Sequence, residues 1–295
     1  MASDRLLEPE FLRKLETLTL VARKSYAGRM KGERRTAKKG HSVEFADFRD
    51  YAPGDDLRYV DWKAYGRLDK LFLKLFREEE DLSVHLLIDN SKSMAFGAPI
   101  TKARYAAGIA AALGYIGLLE YDRVTVTTFS AGLGQRLPHL RGRASIPTYL
   151  RFLSGLEAPG GQTDLTGALR RYAEREAFPG LAIVLSDFLG EGLKDGLYAL
   201  LARGFEIVLI QILDPAEVEP ALAGDMRLVD AETGEELVVS ISPFLLGEYQ
   251  ARLASLVEEI SILSRRHGVE YVRVTTQTPF EETVLQYLRT GGLVR

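Results

Sequence analysis

Residues 84–93 read VHLLIDNSKS. Six mostly apolar residues close on Asp89, and every position from Asn90 to Ser93 is polar. A run apolar at successive rather than alternate positions suits a strand covered on both faces, as in a parallel sheet. Four later stretches repeat the pattern: VTVTTF at 124–129, LAIVLS at 181–186, EIVLIQIL at 206–213 and VEYVRVTT at 269–276. Helical patterns separate them, over 101–120, 146–156, 165–177 and 193–203. A longer helix follows Ser242, with Pro243 at its first position, an apolar stripe of Leu246, Tyr249, Leu253, Leu256, Ile260 and Leu263, and His267-Gly268 as its stop. This alternation predicts an α/β fold: a doubly wound, mostly parallel, Rossmann-like sheet with helices on both faces.

Two further regions depart from the alternation. Residues 227–241 place two β-prone runs around Glu232-Thr233-Gly234, which predicts an inserted hairpin. Residues 1–80 begin with an amphipathic helical pattern (Phe11, Leu15, Leu18, Ala22), continue through a basic loop and short strands, and are read as an extension docked on a main domain of 81–295.

The 295 residues are 46% hydrophobic and 27% charged, which excludes a disordered or fibrous chain. Lys and Arg number 38 against 41 Asp and Glu, so no net field draws the protein to nucleic acid or to an anionic membrane. With no cysteine, thiol nucleophiles, thiolate metal sites and disulfides drop out together. The start, MASDRLLEPEFLRKLE, has no apolar stretch fit for a signal peptide. The longest uncharged, mostly apolar run, 106–119, falls short of the roughly 20 residues that span a bilayer. The expectation is a cytoplasmic protein with no membrane span.

Chemistry concentrates in three loops. Asp89, Ser91 and Ser93 leave the first strand at alternate positions; Gly160-Gly161-Gln162-Thr163-Asp164 precedes a helix; Ser186-Asp187 ends another strand. Open α/β sheets bind ligands at the carboxyl ends of their strands, so these loops are expected to face one cavity. Asp89, Ser91, Ser93, Thr163 and Asp187 offer only oxygen, which matches a hard cation: Mg²⁺ first, then Mn²⁺ or Ca²⁺. Capping of local backbone N–H groups is the plainer reading of Asp89, Ser91 and Ser93, and Asp164 is expected to cap its helix. Lys92 beside them is positioned to pair with a carboxylate and lower the metal affinity.

DNSKS, GGQTDLTGAL and LSD at these strand ends resemble the metal-ion-dependent adhesion site of von Willebrand factor A domains. The resemblance implies a von Willebrand A-like fold in which those five residues hold a metal, some through water, and a partner's Asp or Glu completes its shell. Upstream, Glu44-Phe45, Phe48-Arg49, Tyr51, Gly54-Asp55-Asp56, Arg58 and Asp61-Trp62, followed by Glu78-Glu79-Glu80-Asp81, are similar to the signature of the bacterial DUF58 family. Its members are commonly linked to MoxR-type AAA+ ATPases. Together the two resemblances imply a non-enzymatic, metal-dependent protein-interaction module, an adaptor or co-chaperone of such an ATPase.

Two other functions are weaker. A metal-dependent phosphatase or phosphodiesterase would use the same ion, yet Ser91 stands where a haloacid-dehalogenase pattern needs an acid. Nucleic-acid binding would fall on 29–39, RMKGERRTAKK, for which a solvated loop or a contact with an acidic partner is preferred, because no aromatic platform adjoins it. Asp55 and Asp56 are read as pairing with Arg49 and Arg58, and Trp62 as core. His41, His85, His139 and His267 lack metal-ligand spacing, and no P-loop, dinucleotide fingerprint or nucleophile elbow is present.

Overall fold

The apolar runs do become strands. A computed structural model describes residues 6–20, 43–51, 57, 60–78, 82–156, 161, 163–230 and 234–287. In chain order the elements are α1 (Pro9–Leu15), β1 (Val43–Asp50), α2 (Trp62–Leu68), β2 (Phe72–Glu78), β3 (Ser83–Asp89), α3 (Lys102–Leu119), β4 (Arg123–Phe129), β5 (Leu133–Leu140), α4 (Ile146–Ser154) and α5 (Leu165–Arg175). They continue with β6 (Leu181–Ser186), α6 (Leu193–Ala202), β7 (Glu206–Leu213), α7 (Pro215–Val218), β8 (Gly224–Val229), β9 (Glu236–Ile241), α8 (Pro243–His267) and β10 (Glu270–Thr275).

Six strands form one sheet in the order β10-β7-β6-β3-β4-β5, all parallel except β5. Counted along the chain within this sheet, that is the doubly wound order, and the winding reverses between β3 and β6. β5 was not expected from its sequence. LGQRLPHL carries Pro138, which has no N–H for a ladder, and only an edge strand tolerates that.

Alternation along the strands separates two cores. Val84, Leu86 and Ile88 of β3 join Val126, Ile183, Leu185 and Ile210 beneath α1, α3 and α4. Leu87 points the other way, with Phe129, Val184, Ile207 and Leu209, toward α5, α6 and Ile260 of α8. Each such buried side chain stabilises the fold by about 1.5–3 kcal/mol. α3, rich in Ala and Gly, packs closely against its neighbours. A methyl on Gly114 would overlap the Tyr149 hydroxyl of α4, and one on Gly108 would lie 3.0 Å from the Phe280 ring.

The helix limits follow their caps. Thr101 caps α3 through the Arg104 N–H, Ser242 caps α8 through the Leu245 N–H, and Gly268 ends α8 at φ +66°. The hairpin is present as antiparallel β8 and β9 and begins at Gly224, three residues ahead of the expected start.

The chain divides into two compact units, residues 26–81 and residues 1–25 with 82–295. This changes the expected division at residue 80. α1 is too short to shield its own apolar stripe, and Phe11 and Leu15 are buried with α3, Phe11 edge-on to Phe280 at 5.9 Å. The helix also ends at Leu15, before the expected Leu18 and Ala22; Leu18 is buried beyond it, and Ala22 lies outside the described residues. Within 26–81, β1 and β2 pair antiparallel, and Asp61 caps α2 through the Lys63 and Ala64 N–H groups. Trp62, expected in a core, is 59% exposed, since it opens a helix that buries none of its residues. The basic run 29–39 and Asp55, Asp56 and Arg58 lie outside the described residues.

Candidate functional site

β3 and β6 are the two strands at which the winding reverses, and their carboxyl ends meet. Asp89 is fully buried. Its Oδ1 accepts the Ser91 N–H at 2.9 Å, closing a tight turn, and its Oδ2 accepts the Ser186 hydroxyl at 2.6 Å, fastening one strand end to the other. The Asn90 N–H donates to the Phe129 carbonyl at 2.7 Å, which holds the same loop to β4. Ser91 is buried and Ser93 half-buried, and their Oγ atoms stand 3.0 Å apart.

Asp187 follows β6 and is 4% exposed. Its carbonyl accepts from the Gln211 amide at 2.8 Å and its Oδ1 from the Leu189 N–H at 3.2 Å. Phe188, next in the chain, is buried with φ +50°, a left-handed conformation that costs a non-glycine residue about 1–2 kcal/mol. The Oδ2 of Asp187 pairs with the Lys102 ammonium at 2.7 Å. Lys102, wholly buried at the start of α3, reaches Glu217 Oε1 at 2.5 Å as well. Glu217 belongs to a capping box, its Oε2 accepting the Asp214 N–H at 2.8 Å.

Thr163 is half-buried in the loop before α5. Its neighbour Asp164 donates its N–H to the Ser130 carbonyl at 3.0 Å and caps α5 through the Gly167 N–H at 2.8 Å. That loop is thus pinned just past the carboxyl end of β4, beside β3. The structure gathers Asp89, Ser91, Ser93 and Asp187 at the reversal point and sets the Thr163 loop at the same sheet edge.

Burial pushes the Asp89 carboxyl up to about 6; the Ser186 hydroxyl opposes that, the nearby Asp187 charge adds to it, and the Ser91 N–H opposes it again. Desolvation alone would lower the Lys102 pKa, but Asp187 and Glu217 together outweigh it and leave the ammonium above its ordinary value. A buried lysine held between two carboxylates stays charged.

Sequence reasoning placed the competing cation at Lys92, which is exposed; the ammonium on Asp187 belongs to Lys102. It also passed over Ser186 as the partner of Asp89, and Glu217 and Gln211 as supports. One signal points to Lys102: a cation at the first position of a helix lies against the helix dipole, which calls for a nearby anion.

The donor chemistry suits a hard divalent cation. Adjacent octahedral ligands at about 2.0–2.1 Å from Mg²⁺ lie about 3 Å from one another, the spacing of the two serine hydroxyls. Among the described residues no three His, Asp or Glu side chains form a cage, so neutral hydroxyls would have to share the coordination.

Known proteins resemble the chain in part. The curated "Uncharacterized protein Rv1480" of Mycobacterium tuberculosis is 28% identical over 293 residues, covering 97% of this chain and 92% of the relative. Among solved structures, the conserved hypothetical protein BatB of Bacteroides thetaiotaomicron matches at 15% identity and TM-score 0.44, over 72% of this chain and 98% of that one. Proximal thread matrix protein 1 of the mussel byssus, described with a zinc-occupied MIDAS motif, matches at 15% identity and TM-score 0.38, over 45% of this chain and 38% of that one. The model of the family described as "Protein of unknown function DUF58" matches residues 47–259, most of the chain, and the protein therefore belongs to the DUF58 family.

Proposed function

We propose that the protein is a metal-dependent protein-interaction module rather than an enzyme, with Asp89, Ser91, Ser93, Thr163 and Asp187 as the residues that hold Mg²⁺, or Mn²⁺ or Ca²⁺ in its place. The observation that carries this is the pair of hydroxyls 3.0 Å apart at the topological reversal point, flanked by two buried carboxylates from separate strand ends. Ser91 and Ser93 would donate neutral oxygen. Asp89, already bonded through both oxygens to Ser186 and the Ser91 N–H, would act mainly through water and charge. When bound, the ion supplies an electrophile that an incoming carboxylate can complete. The reading also draws on the resemblance to von Willebrand A domains, and the family's association with MoxR-type AAA+ ATPases names the partner class. The proposed role is that of an adaptor or co-chaperone in the cytoplasm. Among the described residues no helix is long and apolar enough to cross a membrane.

The test is capture of partners from the native lysate with and without EDTA, using wild type and Ser93→Ala. Ser93 is half-buried at the start of a short 3-10 turn, Ser93–Ala95, so the substitution spares the core. Recovery of an AAA+ ATPase that EDTA abolishes and Ser93→Ala weakens is the expected result. Recovery indifferent to both would refute metal dependence.

A further inference from the structure

The cation on Asp187 is already built into the chain. Lys102 Nζ lies 2.7 Å from Asp187 Oδ2 and 2.5 Å from Glu217 Oε1, with no exposure of its own side chain. Glu217 is in turn fixed through its Oε2 to the Asp214 N–H, while its carbonyl accepts the Tyr249 hydroxyl of α8 at 2.7 Å. The second oxygen of Asp214 accepts the Thr276 hydroxyl at 2.8 Å. The lysine thus bridges a candidate metal-site carboxylate to a carboxylate anchored in a different part of the fold.

We propose that Lys102 competes with a divalent cation for Asp187 and so sets how tightly the site binds metal. The inference rests on the metal reading of the site. One positive charge held on Asp187 cancels half of the charge that Asp89 and Asp187 offer a divalent ion, and like charges this close repel strongly in a buried site. The consequence is a weak, still electrophilic ion that needs a carboxylate from outside to be held firmly. Glu217 sets the contest, because it draws the ammonium partly away from Asp187.

Full-length wild type, Lys102→Met and Glu217→Gln are titrated with Mn²⁺ by calorimetry, with circular dichroism to confirm folding. Lys102→Met is expected to bind at least about tenfold more tightly, having lost a unit charge beside the site. Glu217→Gln is expected to bind several-fold more weakly, since the ammonium then has Asp187 as its one remaining anion of the pair. A purely structural role for the lysine would move both variants in the same direction, and that result overturns the proposal. Should Lys102→Met not fold, Glu217→Gln decides: unchanged or tighter binding overturns the competition. Binding by wild type that is unaltered in folded Lys102→Met removes the role of Lys102 and leaves the metal reading standing. Binding seen only in Lys102→Met supports the competition. The absence of Mn²⁺ binding at millimolar concentration in all three removes the metal reading and the proposal with it.

Discussion

Replacing Asp89 with asparagine should stabilise the metal-free protein at neutral pH, the reverse of what a substitution at a fully buried hydrogen-bonded residue ordinarily does. Burial raises the folded-state pKa of this carboxyl from 3.8 to about 6. A raised carboxyl pKa means that the folded state keeps the proton longer than the unfolded chain does. Stability from this group is therefore present below about pH 4, declines between about pH 4 and 6, and is lost above that window. The shift of roughly two pH units corresponds to about 3 kcal/mol at pH 7.5. Asparagine never ionises and escapes that cost, but its single carbonyl accepts from only one of the two donors, the Ser186 hydroxyl or the Ser91 N–H, and leaves the other facing an NH2 group, which returns about 1 kcal/mol. The net expectation is a gain of about 2 kcal/mol at pH 7.5 with EDTA, and a loss of about 1 kcal/mol near pH 4, where the wild-type carboxyl is neutral in the folded state. Urea denaturation of both proteins at the two pH values measures each difference. An equal destabilisation at both would show that Asp89 carries no electrostatic strain.

Mg²⁺ at one hundred times its dissociation constant should add about 2.7 kcal/mol to wild type, and less to Ser93→Ala at the same concentration, as read from thermal melts. Asp187→Ala leaves the buried Lys102 with Glu217 alone and should cost about 3 kcal/mol in urea denaturation, at the low end for a broken buried pair because one anion remains. Gly114→Ala forces a methyl against the Tyr149 hydroxyl and should cost about 3 kcal/mol; a melting temperature equal to wild type would contradict the close packing of α3 and α4. Generic phosphate esters incubated with the protein and Mn²⁺ should show no turnover above that of Asp187→Ala, and a rate that vanished in the variant would favour a phosphatase.

Elements whose signal is local were readable from the chain. The doubly apolar strands and the Ser242-Pro243 start and Gly268 stop of α8 are all written within a few residues. β5 was not, because Pro138 and a half-exposed pattern hide a strand whose existence depends on β4 beside it. The separation of α1 from the region that follows it was hidden for a similar reason: Phe11 and Leu15 announce an apolar stripe but not which core receives it. At the site, the spacing of Asp89, Ser91 and Ser93 declared the loop. The lysine that meets Asp187 lies 85 residues away in sequence, and only the fold makes them neighbours.

The close seating of α3 and the left-handed turn after β6 give Lys102 and Asp187 different supports. Gly108 against Phe280 and Gly114 against Tyr149 leave no room for even a methyl, so the helix that carries Lys102 at its tip is tightly seated. Asp187, though tied to Gln211 and the Leu189 N–H, precedes Phe188, whose left-handed backbone is a point of strain. A rearrangement that parts this pair would draw on the strain at that strand-end turn before it disturbed the packing of the helix.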